Sequence, residues 1–187
     1  MTALIVHAHP LKDSLCAALA AHVSACLPQA RVRDLYASGF DPVLSPAERA
    51  DYYTAPFEDA EGLQACTHLV LVFPTWWFGP PAILKGWIDR SFLPGVAYDH
   101  ASDLSALTGR LNQLREVLVI TTLGSPWWVD RFVLRRPVRR ALKWGVFKAC
   151  APAARFRMLS LYGAETVQPA EVDKFKAQIT HSLEAMR

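Results

Sequence analysis

The chain has 187 residues, of which 52% are hydrophobic and 20% are charged, and its formal net charge is +3. This length fits one domain with a sizeable core, and the composition excludes an intrinsically disordered chain. The small positive charge does not by itself indicate nucleic-acid binding, so we expect no nucleic-acid partner. We therefore expect residues 1–187 to form a single globular domain.

The four cysteines, Cys16, Cys26, Cys66 and Cys150, lie far apart and form no CxxC pair. This spacing argues against a zinc site and against a dense disulfide framework. We therefore expect reduced thiols and no bound metal. The sequence has no pattern typical of a signal peptide and no apolar run long enough for a spanning helix, which predicts a cytoplasmic location.

Apolar runs alternate with helical periodicities in the first half of the chain. Strands are predicted at residues 3–6, 31–36 and 68–73, and helices at residues 14–26, 47–53, 57–66 and 82–91. Proline and glycine separate several of these segments, as is typical of turns.

The second half begins with a connection that we expect to be irregular, residues 92–110. Strands are predicted at residues 116–122 and 155–162, and a closing helix at residues 169–186. Strands that are separated by helices predict a parallel sheet with right-handed crossovers. The expected fold class is therefore α/β, with a doubly wound five-stranded parallel sheet in a three-layer arrangement.

The first candidate turn is HAHPLKDS, residues 7–14. His9, Lys12 and Ser14 place imidazole, ammonium and hydroxyl donors just before a predicted helix, and a helix N-terminus attracts phosphate. The simpler interpretation is that Ser14 caps the helix and His9 stabilises the turn. Neither a dinucleotide fingerprint nor a P-loop occurs here.

The second candidate turn is FPTWWFGPP, residues 73–81, which follows the third predicted strand. Three consecutive aromatics, Trp76, Trp77 and Phe78, cannot all point inward from one strand end. Exposed aromatic faces favour a planar cofactor, whereas the alternative is an aromatic core cluster.

The third candidate turn is TTLGSP, residues 121–126. Hydroxyls and open backbone N–H groups at a strand end can hold the carbonyl edge of a ring or a phosphate. Because ligands of open α/β sheets bind at the carboxyl ends of the strands, the three turns together predict one crevice.

The segment FPTWWFGPPAILKGWIDRSF, residues 73–92, resembles the flavodoxin-like NAD(P)H:quinone oxidoreductase family. Ala97-Tyr98, the ITT of residues 120–122, HAHPLKDS and DPVLSPAE add to this similarity, which runs over most of residues 3–125. The family includes the modulator-of-drug-activity and potassium-efflux ancillary branches. The resemblance implies one flavodoxin-like, flavin-binding domain, with FAD as cofactor, FMN as the alternative, and NAD(P)H as co-substrate.

The resemblance also implies which residues contact the flavin. It assigns the phosphate to His9, Ser14, Leu15 and Cys16, the ring face to Pro74, Thr75, Trp76, Trp77 and Phe78, and the polar ring edge to Thr121, Thr122, Leu123 and Gly124. Two positions depart from the family, which commonly has Asn at the position of Cys16 and Gly at that of Leu123. A thiol therefore replaces an amide that would bond phosphate, and we expect the Leu123 side chain to narrow the approach to the ring.

The implied activity is two-electron hydride transfer from NAD(P)H, through the flavin, to a quinone or a related small-molecule electron acceptor. Trp127 and Trp128 follow the third turn and are expected to wall the substrate site, but neither can act as a general acid, so no catalytic residue is assigned. The resemblance implies a homodimer. It also allows a flavin-binding regulatory subunit of a potassium-efflux system, and an electron-transfer flavodoxin is less favoured because flavodoxins are typically acidic.

A basic segment, residues 127–150, contains Arg131, Arg135, Arg136, Arg139, Arg140 and Lys143. Pro137 predicts that a helix begins near Arg136, with Val138, Leu142 and Val146 on one apolar stripe. Three interpretations stay open: a solvated cationic face, recognition of the 2′-phosphate of NADPH or of the distal flavin phosphates, and docking to an acidic protein, a membrane protein or an anionic membrane.

Overall fold

The computed structural model describes residues 2–54, 62–100 and 107–186. The described residues contain seven strands: β1 (Ala3–His7), β2 (Arg31–Asp34), β3 (His68–Pro74), β4 (Tyr98–His100), β5 (Leu107–Gly109), β6 (Glu116–Leu123) and β7 (Arg155–Tyr162). Five of them form a sheet in the order β2-β1-β3-β6-β7, and each neighbouring pair is parallel. The prediction of a five-stranded parallel sheet is confirmed.

The helices α1 (Leu15–Cys26), α2 (Pro46–Ala50) and α3 (Ala82–Ser91) lie in the first half of the chain. The second half has a π-helical turn at Val129–Val133 and then α4 (Pro137–Arg140), which continues through the π-helix Ala141–Phe147 into α5 (Lys148–Cys150). The last helix is α6 (Pro169–Glu184).

Two apolar clusters, one on each face of the sheet, give the fold its three layers. On one face, α1 and α6 pack on alternate strand residues such as Ile5 and Val70. On the other face, α3 and the helices of the basic segment pack on the intervening residues, such as Leu4 and Leu69. Every residue of β3 and β6 is buried, which explains why these strands read as continuous apolar runs.

Some element boundaries differ from the sequence prediction. Residues 62–65 form turns rather than the end of a helix over residues 57–66, while the beginning of that predicted helix lies outside the described residues. The connection over residues 92–110 is not wholly irregular, because β4 and β5 pair as a small antiparallel sheet. Short strands of this kind are hard to predict because they depend on pairing with each other rather than on a buried face.

The basic segment begins a helix where the proline predicted it, since Pro137 is the first residue of α4. Its apolar stripe is different, however: Val138, Leu142 and Phe147 are buried, whereas Val146 is only half-buried. The π-helix bonds residue i to residue i+5, so the residue that follows Leu142 on the inner face is five positions later rather than four.

Candidate functional site

The carboxyl ends of the central strands border a cleft of about 540 Å³. Its walls are His9 after β1, residues 74–78 at the end of β3, residues 122–125 at the end of β6, and Ala164 and Glu165 after β7. The three turns that the sequence predicts at one edge of the sheet therefore do meet, while their flavin contacts stay predictions.

The aromatic loop is a tight turn with unusual backbone angles. Trp76 and Gly79 exchange two backbone hydrogen bonds of 3.1 and 2.9 Å, and the residues between them have φ angles of 50° for Trp77 and 57° for Phe78. Two such residues define a type I′ turn, which normally contains Asn or Gly. Trp77 is 100% exposed. The strained turn therefore positions its indole in solvent, at the wall of the cleft.

His9 connects the first turn to the aromatic loop. Its ring lies edge-on to Trp76, with the ring centroids 6.0 Å apart, and its Nδ1 accepts a 3.0 Å hydrogen bond from the Leu11 N–H. Burial lowers the pKa of His9 below its ordinary value, so the ring is neutral at physiological pH and carries its proton on Nε2. His9 can therefore donate one hydrogen bond to a ligand in the cleft.

The N-terminus of α1 lies beside this turn and offers unpaired backbone donors. The Ser14 hydroxyl caps the helix by accepting from the Ala17 N–H at 3.1 Å, as the simpler interpretation proposed. Within the described residues, the N–H groups of Leu15 and Cys16 donate to no acceptor. These two amides and the helix dipole suit a phosphate.

Cys16 does not direct its side chain to that phosphate position. Its Sγ is buried and lies 3.3 Å from the Thr122 hydroxyl, and burial raises the pKa of the thiol to about 11. The thiol is therefore protonated and ties α1 to the end of β6. The contact of Cys16 with a flavin phosphate stays a prediction, and only its backbone N–H is free to make it within the described residues.

The ends of β3 and β6 are locked together under the cleft. The hydroxyls of Thr75 and Thr121 are 2.8 Å apart, and the Thr75 N–H donates to the Thr122 carbonyl at 2.8 Å. Thr121 is fully buried and supports the wall from below. Leu123 is also buried, although it borders the cleft.

Two residues of the cleft, Ala164 and Glu165, were missed by sequence reasoning, and Ser125 was included in the third candidate turn without being assigned to the flavin. The Ser125 Oγ is buried and has no hydrogen-bond partner among the described residues, which marks a position where a ligand could supply one. Ser125 directly follows Gly124, so its place in the third turn was a usable signal. Ala164 and Glu165 follow β7, and only the sheet order brings that turn beside β6.

Trp127 and Trp128, predicted to wall the substrate site, do not border the cleft. They lie beyond Ser125, about half exposed, with Trp127 packed edge-on against Phe132 at 5.7 Å. Their role toward a substrate stays a prediction. No helix within residues 2–54, 62–100 and 107–186 is long and apolar enough to cross a membrane.

Residues 1–185 match a family described as having a flavodoxin-like fold. The chain belongs to this family. It is 37% identical over 106 residues to an uncharacterized NAD(P)H oxidoreductase of Escherichia coli (strain K12), covering 50% of this chain and 54% of that protein. It is 34% identical over 149 residues to NAD(P)H dehydrogenase [quinone] 1 of Cavia porcellus, covering 66% and 54%. The chain thus spans about half the length of the curated relatives it matches.

Among solved structures, the chain is similar to Smu.1420 from Streptococcus mutans UA159, with 31% identity, a TM-score of 0.80 and 97% of each chain covered. It also has the fold of an NAD(P)H:quinone oxidoreductase from Methanothermobacter marburgensis, with 21% identity, a TM-score of 0.80, and 97% and 94% of the two chains covered. An FMN-dependent NADH-azoreductase from Bacillus anthracis, solved with FMN, has a TM-score of 0.76 at 16% identity, with 100% and 99% covered.

Proposed function

We propose that this protein is a flavin-dependent NAD(P)H oxidoreductase that reduces quinones or related electrophiles by two electrons. The observation that carries the proposal is the cleft at the carboxyl edge of the sheet, which is lined by an exposed indole, a neutral imidazole donor and a serine whose buried hydroxyl has no partner among the described residues. These groups match a flat, polar-edged heterocycle, because an aromatic face favours stacking and a buried hydroxyl requires a partner.

Each part of a flavin has a complementary group in the chain. The N–H groups of Leu15 and Cys16 would hold the phosphate, the Trp77 indole would cover the ring, and the Ser125 hydroxyl would bond its polar edge. The protein would thus bind and orient the flavin, and residues Trp76 to Phe78 would limit the access of water to one face of the flavin ring. When bound, the flavin supplies the hydride chemistry between NAD(P)H and the acceptor.

The relatives support the enzyme rather than the regulatory subunit of a potassium-efflux system. The similar proteins of Escherichia coli and Cavia porcellus carry the names of an NAD(P)H oxidoreductase and an NAD(P)H dehydrogenase. The sequence resemblance favours FAD, whereas the azoreductase of the same fold was solved with FMN. FMN and FAD share the ring and the first phosphate, which are the parts assigned above. Releasing the flavin and identifying it by chromatography distinguishes them.

Three exposed aromatic side chains in the basic segment support a homodimer. Trp128, Phe132 and Trp144 are each at least half exposed, with Phe132 at 71%, and apolar residues left in water commonly mark an interface. Light scattering after gel filtration should give twice the mass of 20.8 kDa, and Phe132→Glu should give a monomer. A monomeric wild type contradicts this assignment.

The test of the proposed function is cofactor content and turnover together. The purified protein should be yellow and should oxidise NADPH or NADH with menadione as acceptor. Ser125→Ala should weaken flavin binding, because the ring edge loses its hydroxyl partner, while Ser182→Ala on α6 should not. A colourless protein that binds neither FMN nor FAD would refute the proposal.

A further inference from the structure

A second, smaller cleft of about 150 Å³ lies between β7, α4 and α6. Three arginines line it: Arg131, Arg136 and Arg139. The one acidic group among its lining residues is Asp130, which is 6% exposed. Three guanidinium groups against one carboxylate leave two excess positive charges in a confined space.

Two of the three arginines of this cleft form no ion pair within the described residues, whereas the Arg131 guanidinium lies over the Trp127 ring, 5.8 Å from its centroid. Arg136 and Arg139 are half-buried, and their side chains form no ion pair with any described residue. A guanidinium that is partly removed from water without a carboxylate is costly, so an anionic ligand would relieve this cost. The interpretation of a fully solvated cationic face therefore does not apply to these two residues.

The turn that precedes α4 has a strained backbone, and this turn positions Arg136 at the cleft. Arg135 and Arg136 have φ angles of 56° and 54°, which L-residues adopt at a cost. The Arg136 N–H donates to the Asp130 carbonyl at 2.7 Å, and the Asp130 carboxylate accepts from the Tyr162 hydroxyl at 2.8 Å. The buried acid thus connects the turn before α4 to β7, and it forms no ion pair with Arg136 or Arg139.

Both clefts are lined by residues at or just beyond the carboxyl end of β7. Tyr162 ends β7 and pairs in register with Leu123, while Ala164 and Glu165, two and three residues later, line the larger cleft. At about 150 Å³ the smaller cleft is well below the size of typical ligand pockets, about 300–1,000 Å³. It can therefore hold an end group of a ligand rather than a whole nucleotide.

We propose that Arg131, Arg136 and Arg139 form a subsite for a phosphate monoester, the 2′-phosphate of NADPH. This inference rests on the proposed function, since it gives that function a preference for NADPH over NADH. A phosphate monoester carries close to two negative charges at neutral pH and balances the excess charge of the cleft. Guanidinium groups bond phosphate oxygens in a bidentate manner.

The test compares Arg139→Gln with Arg140→Gln, a matched control that removes the same charge one residue later on α4, from an exposed side chain that does not line the cleft. The flavin-loaded protein is titrated in a calorimeter with adenosine 2′-monophosphate and with adenosine, which lacks the phosphate. We expect adenosine 2′-monophosphate to bind about tenfold more tightly, as one charge-assisted contact predicts. This preference should disappear in Arg139→Gln and persist in Arg140→Gln.

Steady-state kinetics provide the second measurement. Arg139→Gln should raise the KM for NADPH about tenfold and leave the KM for NADH within about twofold, because NADH lacks the phosphate. Equal effects on both nucleotides, or equal effects of both variants, overturn the subsite. If Arg139→Gln loses bound FAD while the ratio of the KM values for NADPH and NADH is unchanged, the subsite is overturned and the cleft is assigned to a flavin phosphate. If neither nucleotide is oxidised, the proposed function fails, and the calorimetric titrations still decide the subsite.

Discussion

Replacing Trp77 by glycine should stabilise the protein and weaken its hold on flavin at the same time. Trp77 has a φ of 50° and is 100% exposed, so its side chain contributes no buried area to the folded state. Glycine adopts this backbone conformation without a steric penalty.

The magnitude follows from two opposing terms. An L-residue in the left-handed region costs about 1–2 kcal/mol, which glycine recovers. The greater freedom of glycine in the unfolded chain costs about 0.4–1 kcal/mol. The net gain of about 1 kcal/mol should raise Tm by about 2–4 °C in a chain of this size. Loss of one aromatic stacking partner, about 1–3 kcal/mol, should raise the flavin Kd by about 5- to 150-fold.

Two assays separate these effects. Thermal unfolding is measured on the flavin-free protein, because bound ligand would add stability by mass action, and affinity is measured by quenching of flavin fluorescence. Tyr53→Ala is the control for affinity, since Tyr53 is 60% exposed and lies outside the cleft. A flavin-free Trp77→Gly protein that unfolds several degrees earlier than wild type refutes the strain argument. An unchanged flavin Kd refutes the stacking assignment.

Three further predictions concern stability and reactivity. Gly86→Ala should destabilise the fold by about 3 kcal/mol, because its Cβ would lie 2.4 Å from the Pro42 carbonyl; Gly145→Ala, which meets open space, is the control, and equal urea midpoints would refute the clash. Cys26 alone should react quickly with a thiol reagent near neutral pH, because the other three cysteines are buried and burial raises their pKa values to about 11 or 12. Rapid labelling of several thiols in the folded protein would contradict this prediction. Hydrogen bonds from Ser45 lower the pKa of Glu48, so the ionised carboxylate stabilises the fold at pH values above its ordinary pKa of 4.5, and this contribution is lost as the pH falls through the lowered pKa of the folded state. The Tm difference between wild type and Glu48→Gln should therefore narrow on acidification. A Tm difference that stays constant with pH would contradict this prediction.

The order of elements and the layer arrangement could be read from the sequence because they depend on local patterns. The continuous apolar runs of β3 and β6 mark strands buried on both faces, and the periodicity of α1 marks a helix with one buried side. The π-helix at Ala141–Phe147 could not be read in this way. Its spacing places Leu142 and Phe147, five residues apart, in the apolar cluster that packs on the sheet.

The sequence alone was sufficient to predict which turns border the cleft, because Trp77 and the paired threonines follow or end predicted strands. It was not sufficient to predict the contacts that these residues make. The tertiary structure turned the Cys16 thiol toward Thr122, left the Ser125 hydroxyl without a partner among the described residues, and placed Arg136 and Arg139 beside β7. A strand end fixes where a turn lies, and strand ends can be read from local patterns. Hydrogen-bond partners and charge balance, however, depend on segments that are distant in the sequence and that the order of the strands brings together.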